Sequence, residues 1–142
     1  MHHAPAIEHS RPKFKSPRKR ATSLMHSLQA EAVSLSKAEN PDVWDVSFRV
    51  GDAVEFVLGL ANKDHREKVR GVVLGRYRKG MDEAVLIRDI IHGVPIERRI
   101  LLHSPLVRSI RVIEENFVYK GRRRVKRSKL YYVRDMNPNS KF

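Results

Sequence analysis

The chain of 142 residues contains no cysteine. Disulfides, thiolate metal sites and cysteine nucleophiles are therefore excluded, and the redox compartment stays undecided. No apolar run approaches the roughly 20 residues of a membrane-spanning helix, and no lipidation motif is present. The N-terminus lacks the apolar central region of a secretory signal. The seven glycines form neither a phosphate loop nor a dinucleotide fingerprint. Acids are scarce as well: 16 Asp and Glu stand against 29 Lys and Arg, a formal net charge of +13. A hydrophobic fraction of 41% suffices for one small core, so one domain with appended ends is expected.

Catalytic constellations are also missing. The histidines are His2, His3, His9, His26, His65, His92 and His103, and none has a partner at metal-ligand spacing such as His-Glu-x-x-His. Asp64-His65, Asp89 and His92 could meet in space, but ordinary loop polarity explains them better. Glu114-Glu115 would point to opposite faces of a strand, which argues against a shared acid/base role. Ser104, between His103 and Pro105, lacks the glycine-flanked elbow of a hydrolase nucleophile. The expectation is a protein without enzymatic activity, metal or cofactor.

What the chain does hold is cationic charge, unevenly spread. Residues 1–23 carry six bases and one acid, 24–47 one base and four acids, 48–118 thirteen and ten, and 119–142 nine and one. A nearly balanced middle with basic ends is the pattern of a folded body with arms for an acidic partner. The densest run is residues 120–135, where Lys120, Arg122, Arg123, Arg124, Lys126, Arg127, Lys129 and Arg134 surround the knot Leu130-Tyr131-Tyr132-Val133. Charge alone suits a solvated tail. Charge anchored by an apolar knot suits an arm pressed against nucleic acid, where Lys and Arg release condensed counterions. An anionic membrane surface is a weaker candidate.

Residues 1–15 lack apolar periodicity and read as an extended basic leader. Ser16-Pro17 marks a helix start. Ala21, Leu24, Met25, Leu28, Ala32 and Leu35 then form one apolar stripe at spacings of three and four, until Asn40-Pro41 ends the helix. This extension, 16–40, needs a surface to dock on, its own domain or a neighbour. From Phe48 the period becomes two. Val54, Phe56, Leu58 and Leu60 alternate with Glu55, Val57 and Gly59. Val69, Val73 and Tyr77 are expected on one face of the next strand, with Arg70, Val72, Leu74 and Arg76 on the other. Val85 and Ile87 alternate with Leu86 and Arg88, and Ile110 and Val112 with Arg111 and Ile113. Turn signals lie at Gly51-Asp52, Asn62 to Asp64, Lys79 to Asp82, Gly93 and Ser104-Pro105. Such short strands, with no room for crossover helices, predict a mostly β body over 46–118, a small antiparallel barrel or sandwich. Gly71 and Gly75 are expected where that sheet bends or bulges.

The ordered motifs Phe48-Arg49-Val50-Gly51-Asp52, Gly71-Val72-Val73-Leu74, Gly93-Val94-Pro95-Ile96-Glu97-Arg98, Leu102-His103-Ser104-Pro105 and Lys129-Leu130-Tyr131-Tyr132-Val133-Arg134-Asp135 resemble the family of bacterial-type large-subunit ribosomal protein nineteen, over roughly residues 46–136. The resemblance implies an SH3-like barrel without catalytic role. It also implies binding to large-subunit ribosomal RNA near the subunit interface, beside other large-subunit proteins, with possible bridging to small-subunit RNA. Carried over by position, the RNA contacts are Lys120, Arg122, Arg123, Arg124, Lys126, Arg127, Lys129 and Arg134 of the arm, 119–142. Arg76, Arg78, Lys79, Arg98, Arg99 and His103 join them from loops and strands, Arg98 having Glu97 or Asp89 as alternative partners. Tyr131 and Tyr132 are expected to point opposite ways on a strand, so one could stack on bases while the other packs on the body. Departures are Ile100-Leu101 where the family has Phe-Pro, Val133 in place of Leu, and the Phe117 to Gly121 segment. The long basic leader resembles organellar members, most of all mitochondrial ones, with plastid or bacterial cytoplasm as alternatives. Its acid-poor start suits a targeting segment or a ribosome-docked extension. A free SH3-like nucleic-acid-binding regulator is the competing function, and an RNA-processing enzyme a more remote one.

Overall fold

The computed structural model describes residues 14–59 and 65–136. Most of the basic leader, Leu60 and the Asn62 to Asp64 turn signal lie outside the described residues, as does the chain beyond Met136.

Helix α1 runs Pro17–Glu39, between the predicted signals. Lys19 N–H donates to Ser16 Oγ at 3.4 Å, and Asn40 N–H donates to the Ser36 carbonyl at 3.3 Å. Pro41 then opens a single turn, α2, Pro41–Trp44. The apolar stripe of α1 finds little cover within the chain. Leu24, Met25, Leu28 and Leu35 stay exposed, and Ser36 is the buried residue of the helix.

Among the described residues five strands follow: β1 Ala53–Gly59, β2 Arg66–Tyr77, β3 Ala84–Ile91, β4 Val94–Leu101 and β5 Val107–Glu114. They form one antiparallel sheet in the order β4-β3-β2-β1-β5. The period of two puts Val54, Phe56, Val69, Val73, Val85, Ile87, Ile100, Val107 and Ile110 into one inner core. Val43 of α2 and Phe48 join it. Residues from both edge strands share this core, so the sheet curls around it. Among the described residues β4 and β5 do not pair with each other. The expected SH3-like barrel is therefore a curled open sheet, with α2 lying against β5.

The outer face carries a second apolar cluster, and a bulge in β2 creates it. Val73 pairs with Ile87 but Gly75 pairs with Leu86, so Leu74 is an extra residue. Such an insertion sends two successive residues to the same side. Leu74 is fully buried in the outer cluster with Leu130 and Val133. Gly75 also faces outward, and a Cβ there would lie 2.5 Å from Lys129 Cδ. The bulge corrects the alternation expected for β2. Tyr77 lies on the outer face beside Tyr131, and Arg76 turns inward over the Phe48 ring at 5.2 Å.

The knot is not a strand. Tyr131–Asp135 is a 3-10 turn capped by Leu130, because its backbone meets the sheet only at the isolated Gly75–Lys129 bridge. In a turn with three residues per repeat, Leu130 and Val133 share one side, which is the side buried on Leu74.

Gly71 marks a close approach, since a Cβ there would lie 2.8 Å from the Arg88 carbonyl oxygen. That neighbour is ladder backbone and cannot swing aside. Gly71→Val should lower stability by about 1–3 kcal/mol, as overpacking does, or roughly 3–9 °C in melting temperature. An unchanged melting temperature would show that the β2–β3 ladder yields freely there.

Candidate nucleic-acid interface

The basic arm is a strap fixed at three places. Its root leaves β5 at Asn116, which adopts the left-handed conformation. Asn116 N–H donates to Asp52 Oδ1 at 2.8 Å, and Arg49 N–H donates to Asp52 Oδ2 at 2.8 Å. One buried carboxylate thus ties the Arg49–Asp52 turn to the start of the strap. Halfway along, Val125 packs against the outer cluster and touches the Gly51 backbone region. At its end Leu130 N–H donates to the Leu74 carbonyl at 2.8 Å. Leu130 and Val133 are 0% and 1% exposed.

Between these fixings the cations separate into groups. Lys120, Arg122, Arg124 and Lys126 are exposed. Arg123 lies over the Tyr119 ring at 4.3 Å and Arg127 over Tyr132 at 5.4 Å. The Tyr119 and Tyr132 hydroxyls meet at 2.9 Å. That hydrogen bond lowers the Tyr119 pKa, with the nearby arginines acting in the same sense, and raises that of Tyr132. Arg–Tyr stacking of this kind holds a guanidinium at the surface without neutralising it. Lys129 turns inward instead. Its Nζ donates to the Arg76 carbonyl at 2.6 Å and lies 4.1 Å from the Tyr77 ring centre.

Tyr131 and Tyr132 do diverge, though not by strand geometry. Tyr131 is 42% exposed, shares a 2.5 Å hydrogen bond with the Tyr77 hydroxyl and lies under the Arg134 guanidinium at 4.7 Å. Tyr132 packs against the outer cluster. Arg134 donates twice to the Glu97 carboxylate, at 2.8 Å each, and Arg88 donates once to the same group at 2.7 Å. The Arg134 hydrogen bonds, aided by Arg88, hold the Glu97 carboxyl below the usual carboxylate range against the opposing effect of burial. Glu97 thereby locks the knot to β4.

Of the loop and strand candidates, Arg78 and Lys79 are exposed, and Arg99 is exposed over the Tyr77 ring at 5.1 Å. Arg76 pairs with Glu83 at 2.7 Å. Arg98 pairs with Glu67 of β2 at 2.5 Å, and not with Glu97 or Asp89, because Glu97 is taken by Arg88 and Arg134 and the Asp89 carboxylate accepts Ile90 N–H. His103 does not reach the surface. It is buried, shares a 2.9 Å hydrogen bond with Ser36 Oγ of α1, and stacks on Trp44 at 4.5 Å. Its ring latches the helix to the body, which leaves it no open side for RNA.

Sequence reasoning missed Asp52, Glu97 and the latch. Asp52 was visible only as a turn signal. Glu97 carried no signal of its own, since its partners come together through strand register and the knot. Among the described residues no group of three or more His, Asp or Glu could hold a metal ion, and no helix there is long and apolar enough to cross a membrane.

These features define a class: a scaffold that displays cations on a strap fastened to a curled sheet. Comparison with known proteins gives the family. The model of the ribosomal protein L19 family matches residues 30–141. Similar proteins include the large ribosomal subunit proteins bL19 of a Cyanothece species and of Synechococcus elongatus. Each is 34% identical over 117 residues, covering 81% of this chain and 85% of the relative. The bL19 protein of Desulfotalea psychrophila is 35% identical over 102 residues, 70% of this chain and 77% of its own. The chain belongs to the ribosomal protein L19 family.

Two outcomes follow from the site. Leu130→Ala should reduce stability by about 2–5 kcal/mol, the range for large-to-small core changes, and raise protease cleavage within 120–128. Uncleaved strap in that variant would show that Leu130 does not anchor it. The second concerns the latch. Burial pushes the His103 pKa below its ordinary value of 6.5; Glu83 opposes the shift and Lys37 adds to it. The unfolded chain therefore takes up this proton first as pH falls. Stability should be level above about pH 7 and decline below about 6.5, and His103→Phe should flatten that decline between pH 5 and 7. Denaturant unfolding across this range checks it, and equal slopes in both proteins would exclude His103 as the source.

Proposed function

We propose that this protein is a structural component of the large ribosomal subunit that grips ribosomal RNA through its strap. The single observation carrying this is the strap itself. Six cations, Lys120, Arg122, Arg123, Arg124, Lys126 and Arg127, are exposed on a segment pinned at both ends to a rigid sheet. A merely solvated charge run would have no use for buried anchors beneath it. Arg78, Lys79 and Arg99 extend the cationic surface toward the β2–β3 loop, and Tyr131 offers a partly open ring at its edge. Arg134, held over that ring, and Arg76, Arg98 and Lys129 act from behind by positioning the outward groups. RNA backbone shape is the feature such a surface reads, because phosphates and not base edges meet its cations.

The parts divide the work. The sheet body, 46–118, is the platform and the strap with its knot, 119–142, is the gripping element. The helix, 16–40, lays its uncovered apolar stripe on RNA or on a neighbouring large-subunit protein, and the leader continues beyond it. Placement near the subunit interface, with a bridge to small-subunit RNA, fits a curled platform whose cations extend from the strap to the β2–β3 loop. The compartment we favour is the mitochondrial ribosome, supported by the acid-poor basic leader. The naming of the relatives as large-subunit proteins supports the particle.

Replacing Arg122, Arg123 and Arg124 together with Ala tests this reading. Six phosphate contacts predict a loss of affinity on the order of 10³ between 50 and 200 mM salt for the wild type, and the triple variant should lower the salt slope by about 2–3. Wild-type binding that is flat across this range would refute the strap's role. Sedimentation of mitochondrial, plastid and cytosolic extracts completes the test. The protein should travel with large particles from mitochondria, and recovery in the soluble pool would indicate a free regulatory module instead.

A further inference from the structure

The outer face of β2, β1 and β5 carries a second set of cations that the strap does not use. Register places Glu55 directly opposite Arg70 on one side and Arg111 on the other. The Glu55 side chain is 6% exposed, while those of Arg70 and Arg111 are 63% and 69% exposed. Arg70 donates to it through Nε at 2.6 Å and Arg111 through one terminal nitrogen at 3.1 Å. One buried acid thus holds two guanidiniums upright from below and leaves further N–H groups facing water. The Arg70 hydrogen bond and the Arg111 charge also keep the Glu55 carboxyl below the usual carboxylate range, against burial.

Lys68 and Arg66 continue the same face of β2 at two-residue steps, and both are exposed. Strand β5 adds Arg108. Val57 pairs with Ser109 but Leu58 pairs with Val107, so Arg108 is the extra residue of a bulge. It therefore turns outward with Ser109, and its guanidinium lies across the bare backbone of Gly59. Arg66, Lys68, Arg108 and Ser109 line a groove of about 640 Å³ together with Asn40, Asp42, Val57 and Gly59. Among the described residues, these five cations share the face with three carboxylates, Asp42, the buried Glu55 and the exposed Glu114 opposite Ala53.

The lining decides what fits. Among the described residues Val57 is the one large apolar side chain lining the groove, which gives a protein partner little of the apolar anchor that interface cores are built on. Upright guanidiniums and the Lys68 ammonium suit the oxygens of a sugar-phosphate backbone. We propose that this face is a second RNA-backbone site, taking a different stretch of phosphates from the strap. The inference rests on the reading of the protein as an RNA-bound ribosomal component. Both sites occupy one sheet face: Leu74, under the knot, and Arg66 are eight residues apart on β2, roughly 25 Å. Two sites on a rigid face bind one folded RNA with avidity, the second contact being made at high effective concentration.

The cysteine-free chain makes the test direct. Ser109→Cys puts a sole thiol in the groove and Ser128→Cys puts one in the strap, each carrying a tethered iron chelate that cleaves nearby RNA in the assembled particle. The expected result is two separate cleaved RNA segments, one for each probe. Cleavage from position 128 with none from 109, or the same segment from both, overturns this inference and leaves the strap reading standing. Absence of cleavage from both sinks the two together. In parallel, the full-length R66Q/K68Q/R108Q variant, which spares the Glu55 partners, should lower the salt slope of RNA binding by about 2–3, additively with the triple strap variant. A wild-type slope in a folded R66Q/K68Q/R108Q protein, or capture of an acidic protein at position 109 in place of RNA, would also overturn it.

Discussion

The meeting of Leu74 with Leu130 governs where every outward cation of the strap stands. The bulge in β2 turns Leu74 out of the inner core and frees its carbonyl from the β3 ladder. Leu130 N–H takes up that carbonyl, and the two side chains bury each other with Val133. The adjoining Gly75 leaves room for the Lys129 stem, whose ammonium then reaches the Arg76 carbonyl. A single inserted residue therefore supplies an apolar seat, a backbone acceptor and a slot. Without them the eight bases of residues 120–135 would repel one another with nothing to hold them in register. Each fully buried aliphatic side chain contributes about 1.5–3 kcal/mol, and exposed cations contribute almost nothing to fastening. Apolar contact thus supplies most of the fastening, the Asp52 and Glu97 carboxylates hold the two ends, and the exposed cations decide what the strap meets.

Much of the body was legible because burial on one side imposes a period of two. The alternation in β1, β3 and β5 names inner-core residues correctly, and Ser16-Pro17 and Asn40-Pro41 bracket α1 as their backbone preferences require. What the period could not show is any place where it breaks. One extra residue in β2 reverses the faces of Arg76 and Tyr77; Gly75 announced a bend or bulge there, but not which residue is inserted or which faces exchange. The knot failed for a related reason. Tyr-Tyr-Val has strong strand propensity, but a strand needs an edge to pair with, and here only one bridge forms before the chain turns. Closure into a barrel was equally out of reach, since it depends on the two edge strands meeting and not on any residue within them.

Of the candidate site, the cations were read easily and their duties were not. Sequence shows charge but not register, and register chooses the partner. Arg98 lies beside Glu97 in the chain yet pairs with Glu67 across the sheet, while Glu97 serves Arg88 and Arg134. His103 sits in a motif that invites an exposed reading. Ser36, 67 positions earlier, comes over it only because α1 folds back on the body.

The near-neutrality of residues 48–118 now takes on another meaning. Three of its acids are not spread as solvating charge. Glu55 lies beneath Arg70 and Arg111, Glu97 between Arg88 and Arg134, and Glu83 against Arg76. Each of these carboxylates is more buried than at least one of its arginines, so negative charge lies inside and positive charge outside. A polyanion approaching the surface meets guanidiniums whose rotamers are already chosen, and less side-chain freedom is lost when it binds. Helix α1 completes the contrast. Its apolar stripe is exposed, and its hold on the body lies at Ser36 and against the Gly80–Asp82 turn beside Gln29. A helix of this kind gains its full order from a surface outside the chain. The body is ordered by its own contacts while the extension leaves an apolar face open, a division that suits a protein built into a larger particle.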